Sequence, residues 1–101
     1  MVVKWEKTSK EDLKDFKNYS KSSNVNEYIT NMVKYVDDLS KNPYLGKIYL
    51  YTKGYIVRQL IHEKHKIYYY IDGDVIHIIA VVHHKQNMQE KIRFIKNIIK
   101  Y

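Results

Sequence analysis

GYIVRQLIHEKHKIYYYIDGDVIHIIAVVHHK, residues 54–85, is the stretch that decides the fold. Three short apolar-rich runs follow one another in it, at 55–62, 65–71 and 75–84, and each reads as a strand. The Asp72-Gly73 pair between the last two is a strong hairpin signal. In the third run Ile76, Ile78, Ala80 and Val82 alternate with Ile79 and Val81, so both faces are apolar. Such a strand is central in its sheet, or a partner covers one of its faces. Arg58 lies in the first run, and the last run ends in His83-His84-Lys85.

Working outward, residues 2–7 alternate loosely around Trp5 and are expected to form a first strand. Thr8 with Glu11 three residues on has the form of a capping box, and Leu13, Phe16 and Tyr19 then recur at helical spacing. Lys21-Ser22-Ser23 is a short polar link. Asn24 with Glu27 marks a second cap, and Val25, Tyr28, Ile29, Met32, Val36 and Leu39 line one face of a longer helix. Asn42-Pro43 ends it, because the residue before proline is pushed out of the α region. The short link makes the pair a helical hairpin. Pro43-Tyr44-Leu45-Gly46 reads as a turn, and residues 47–52 as extended or irregular. Asn87 and Glu90 form a third cap-like pair before a C-terminal helix striped by Met88, Ile92, Ile95 and Ile99. The expected order is strand, helix, helix, strand, strand, strand, helix. That is a single α+β domain over residues 1–101, a small antiparallel-rich sheet with the helical hairpin on one face. Its other apolar face needs a cover or a partner.

Charge is uneven. The net charge of +7 is carried mostly by residues 53–101, which hold nine Lys and Arg, four acidic residues and all five His. A basic half points to nucleic acid, an acidic protein partner, or both. The chain has no cysteine, which excludes a disulfide framework and thiolate metal sites. No apolar run is long enough to span a membrane and the first residues lack the form of a signal peptide, so a cytoplasmic protein without membrane contact is expected.

There are too few glycines for a phosphate-cradling loop. His83 and His84, as adjacent strand residues, point to opposite faces, which argues against one shared ion, so neither metal nor other cofactor is expected. Metal-free RNA cleavage suits the side chains better. An imidazole can act as acid or base near neutrality, and Arg offers a planar fork to phosphate oxygens. Arg58, His83, His84 and Lys85 are therefore the candidate catalytic set, with Lys66 and Tyr69 as candidate substrate contacts. Each also has a plainer role: Arg58 can pair with Asp72 or Asp74, the histidines can close the strand end, and Tyr68-Tyr69-Tyr70 can be cross-strand packing.

Four short patterns carry a resemblance: Pro43-Tyr44-Leu45-Gly46, Arg58-Gln59-Leu60, Lys66-Ile67-Tyr68-Tyr69, and the apolar strand from Ile78 that ends at His83. In that order they resemble the RelE/ParE superfamily of bacterial toxins from type II toxin–antitoxin pairs, with the pattern nearest the ParE-like branch. The resemblance implies a growth-arresting toxin held as a hetero-oligomer by a cognate antitoxin. RelE-like members cut mRNA on the ribosome, whereas ParE-like members poison DNA gyrase without catalysis. The expected function is metal-independent mRNA cleavage, with gyrase inhibition as the alternative and a basic nucleic-acid-binding module as a further one. Lys85 stands where RelE-type members often carry Arg, and Tyr101 is a candidate for their C-terminal Tyr. The antitoxin is expected on the sheet face that the helical hairpin leaves open.

Overall fold

The computed structural model describes residues 1–86 and 88–99. Strand β1 (Val2–Trp5) is followed by helices α1 (Lys7–Tyr19) and α2 (Val25–Asp37) and a 3-10 turn at Asp38–Ser40. Four strands then run in succession: β2 (Lys47–Thr52), β3 (Tyr55–His62), β4 (His65–Asp72) and β5 (Val75–His83). Helix α3 (Met88–Ile98) closes the described chain. The strands form one sheet in the order β1-β5-β4-β3-β2, antiparallel except where β1 pairs parallel to β5. The α+β domain and its helical hairpin are as expected. Residues 47–52, which the pattern left undecided, form the edge strand β2.

The antiparallel strands are joined by two-residue connections at Lys53-Gly54, Glu63-Lys64 and Gly73-Asp74. Lys53 and Gly54 both have positive φ, 51° and 82°, the backbone of a hairpin turn whose twist matches that of the strands.

Strand β5 lies inside the sheet, between β1 and β4, which is one of the two outcomes its apolar faces allowed. A bulge interrupts its pairing: Tyr68 faces Ala80 and Tyr69 faces Ile78, leaving Ile79 as the extra residue. The bulge resets the alternation. Ile76, Ile78 and Val81 pack on the hairpin side with Met32, Val36, Leu39, Leu60, Ile67 and Tyr69. Ile79, Ala80 and Val82 pack on the other side with Val57 and Tyr68. Helix α1 satisfies the interrupted backbone: Thr8 Oγ1 donates to the Ile79 carbonyl at 2.8 Å, and Val81 N–H donates to Asp12 Oδ2 at 2.9 Å. This corrects the capping expectation. Thr8 lies inside α1, whose N-cap is Glu6, because its hydroxyl is used by β5. Asn24 does stand at the N-cap of α2, but without a side-chain capping bond.

The second face is not left open. Ile95 and Ile99, both fully buried, pack from the C-terminal segment against Val57, Tyr68, Ile79, Ala80 and Val82. Two polar ties hold that segment: Lys91 Nζ lies 3.2 Å from Asp12 Oδ1, and Lys53 Nζ donates to the Ile99 carbonyl at 2.7 Å. This corrects the expectation that the antitoxin meets this face as an open one: the cover comes from the chain itself.

Asp12 thus joins α1, β5 and α3. Burial pushes its carboxyl above the usual range, against the Val81 N–H and the Lys91 ammonium, which pull it down. Asp12→Ala should leave both partners without their acceptor and cost about 1–3 kcal/mol, read as a lower midpoint in urea unfolding. Asp12→Asn, which keeps an acceptor for Val81 N–H, should cost less.

Candidate functional site

The sheet separates the expected catalytic set. Arg58 pairs across the sheet with Tyr69, whereas His83 pairs with His65, four residues earlier in β4, from the other neighbouring strand. Both side chains lie on the hairpin face. They are nevertheless roughly 13 Å apart along the strands and roughly 10 Å apart across them. Between them runs a row of paired residues, Leu60, Ile67 and Val81, buried against the core residues Met32 and Val36 of α2. Lys66 pairs with Ile61 and Val82 and so belongs to the opposite face.

Around Arg58 the chain builds a brace. The guanidinium donates from Nη1 to the Gly46 carbonyl at 2.8 Å and lies 5.1 Å from the centre of the Tyr44 ring. Tyr69 is fully buried. Its hydroxyl donates to the Pro43 carbonyl at 2.8 Å and accepts Gly46 N–H at 2.9 Å. Both residues therefore hold the Pro43-Tyr44-Leu45-Gly46 turn against the sheet, and Arg58 pairs with neither Asp72 nor Asp74. Beside them is a shallow cleft of about 240 Å³ lined by Tyr44, Gly54, Tyr55, Ile56, Arg58 and Ile71.

His83 belongs to a different group. Its ring lies 5.2 Å from that of His65 and 4.5 Å from that of His84, the latter pair stacked. The expectation that His83 and His84 point to opposite faces fails because β5 ends at His83. His84 sits in the following turn, where its N–H donates to the Lys64 carbonyl at 2.8 Å. His65 is 4% exposed, packs on Phe16 at 4.5 Å, and has its Nδ1 2.8 Å from the Tyr28 hydroxyl. His62 sits next to it, with a buried Nε2 that lies 3.3 Å from Glu63 Oε2 but too poorly aligned to form a hydrogen bond. Lys85 is exposed and its N–H donates to His83 Nδ1 at 3.2 Å. Two clefts of about 370 and 300 Å³ open here and share Phe16, His65 and His83. Among the described residues no group of His, Asp and Glu is placed to hold a metal ion. Asn87 and Tyr101 lie outside the described residues.

The patterns placed Arg58 and His83 in one sheet but carried no information on their separation within it. His62, His65 and Tyr28, which build the histidine end, were not among the candidate catalytic or substrate-binding residues. Alternation alone would have put His65 on one face with Ile67 and Tyr69. Its pairing with His83 needed the register.

The His65 imidazole is held near a pKa of about 4, first by burial and then by the charges of His83, His62 and His84. Unfolded, it would titrate near 6.5. Above that pH it is neutral in both states and stability is unaffected. As pH falls from 6.5 towards 4 the unfolded chain takes up the proton first, so stability is lost, by about 2–3 kcal/mol at pH 4.5. His65→Phe should remove that part of the slope in urea unfolding compared at pH 7.5 and 4.5. At the other group, a Cβ on Gly46 would come 2.7 Å from Tyr69 Cε1 and 3.0 Å from the Gln59 carbonyl oxygen. Gly46→Ala should therefore destabilise by about 1–3 kcal/mol, lowering the thermal midpoint.

The sequence of residues 3–88 matches the family model described as ParE toxin of type II toxin-antitoxin system, parDE. No curated protein matches the chain. With the match running through the hairpin, the whole sheet and both residue groups, the chain belongs to the ParE toxin family of type II toxin–antitoxin systems.

Proposed function

We propose that this toxin arrests growth by binding DNA gyrase, without cutting RNA. The observation that carries the reading is the separation of Arg58 from His83 by the buried row Leu60, Ile67 and Val81. Cleavage by a ribose 2′-hydroxyl needs a base, an acid and a cation within hydrogen-bond reach of one phosphate. A phosphate held at Arg58 is out of reach of His83, and Tyr69 has no exposed surface with which to meet a base. The ParE description of the matching family supports the same choice, since ParE-like members of the superfamily act on gyrase.

One arrangement favours mRNA cleavage as a second reading: His83 lines both His65 clefts, its ring stacks on that of His84, and the Lys85 N–H donates to it. An imidazole pair with a lysine can move a proton and hold an anion without Arg58. Burial, together with His84, Lys85 and Lys64, lowers the His83 pKa, which favours a neutral imidazole able to act as base.

The two readings separate on expression of the toxin alone. The gyrase reading expects DNA breaks and the DNA-damage response before any loss of mRNA, trapped cleaved DNA when purified toxin meets gyrase, and toxicity within a few-fold of the wild type for His83→Gln. Early mRNA ends at ribosome positions, insensitive to EDTA, would overturn it. So would relief of toxicity by His83→Gln with the fold intact, since loss of proton transfer costs a nuclease about a hundredfold in rate.

A further inference from the structure

Lys7, Lys10, Lys14 and Lys17 recur along α1 at steps of three, four and three residues, and all four are exposed. At 3.6 residues per turn they fall within an arc of about 80°, and no other residue of α1 lies in it. We propose that this row contacts the backbone of duplex DNA without reading its sequence. Resting on the gyrase reading, that DNA is the segment the enzyme holds when the toxin meets it.

The row is free to bind. Among the described residues Lys10, Lys14 and Lys17 form no ion pair, and Lys7 reaches only Glu11, at 3.9 Å between two exposed side chains. Two other acids of α1 lie on the opposite flank. Asp12 accepts the Val81 N–H and meets Lys91, and Asp15 lines the cleft beside His83. On the near flank Leu13, one turn from both Lys10 and Lys17, packs into the hairpin core.

The row also works against its own helix. Lys7 with Lys10, Lys10 with Lys14, and Lys14 with Lys17 are like-charge neighbours on one face, and such pairs destabilise a helix. Lys7 and Lys10 stand in the first turn, which holds no acidic residue, at the helix end whose dipole favours anions. A bound polyanion reverses both effects.

Duplex DNA fits the row best. From Lys7 to Lys17 the helix rises about 15 Å. A duplex carries one phosphate charge per about 1.7 Å of axis, so all four ammonium groups can meet phosphates at once. An acidic protein would need a carboxylate at each step, whereas DNA supplies the charge continuously. Lysine is a point charge on a flexible stem, which suits phosphates and reads no sequence. The arc holds no aromatic side chain on which the bases of a single strand could stack. A membrane surface is a poor occupant, because Leu13 and Phe16 pack inward and leave α1 no apolar face to insert.

The test is equilibrium binding of the full toxin to labelled duplexes of two unrelated sequences over a range of salt. The variant K10Q/K14Q/K17Q keeps the Lys7–Glu11 pair, and Gln suits a helix about as well as Lys. It should melt at the wild-type temperature or above it. It should bind both duplexes at least about tenfold more weakly, with a salt slope shallower by about 2–3. K41Q/K47Q/K96Q removes the same charge at exposed positions elsewhere and should bind within a few-fold of the wild type. Equal loss in the two variants, undiminished duplex binding by the first, or tighter binding of single-stranded RNA than of duplex through the row would each overturn the inference. Gyrase is absent from these measurements. Duplex binding through the row by a toxin that traps no cleaved DNA with gyrase removes the gyrase reading and leaves the DNA contact standing. Trapping without duplex binding removes the contact alone.

Discussion

A single extra residue at Ile79 governs how the last strand meets the rest of the molecule. Without the bulge, strict alternation would carry Ile76 and Ile78 onto one face with Ala80 and Val82, and would send Val81 and His83 to the other. With it, Val81 joins the core under the hairpin and His83 turns toward His65 and Phe16. A bulge leaves backbone groups off the ladder, and in a central strand they need partners. Helix α1 supplies them through Thr8 and Asp12, so the helix and the strand fix each other's position. Lys91 then binds α3 to the same carboxylate.

From that constraint follow two chemically distinct ends of the hairpin face. At one, His62, His65, His83 and the Tyr28 hydroxyl gather, and burial lowers the pKa of the His65 imidazole among them. At the other, Arg58 and Tyr69 brace a turn while apolar side chains stay in water. The first is suited to proton chemistry but lacks the strong cation. The second has the cation but no acid or base. A toxin that works by binding needs no such union, and the family is one whose established partnership is with an antitoxin.

The helical hairpin, the run of antiparallel strands and the C-terminal helix were legible because each depends on local chemistry. Apolar spacing in 25–39 suits one helix face, and Asp72-Gly73 signalled the hairpin, although its two turn residues are Gly73-Asp74, one position on. The family was legible for the same reason, its pattern being a series of short local signatures in a fixed order. Less legible was Glu63-Lys64, a turn without glycine in which Glu63 takes a φ of 50°. The flanking strands impose that conformation on a residue that would not choose it.

Sequence by itself determined the helices, the strands over 55–62, 65–71 and 75–83, the basic second half and the toxin-family pattern. Tertiary structure alone decided that α3 covers the second face, that β1 joins in parallel beside β5, and that Arg58 and His83 stand apart. The physical reason is register. Propensity and periodicity report what a residue does within its own element, whereas the distance between two side chains on different strands depends on which residues pair. That pairing was set here by one bulge, whose signal was a threonine and an aspartate some seventy residues earlier in the chain.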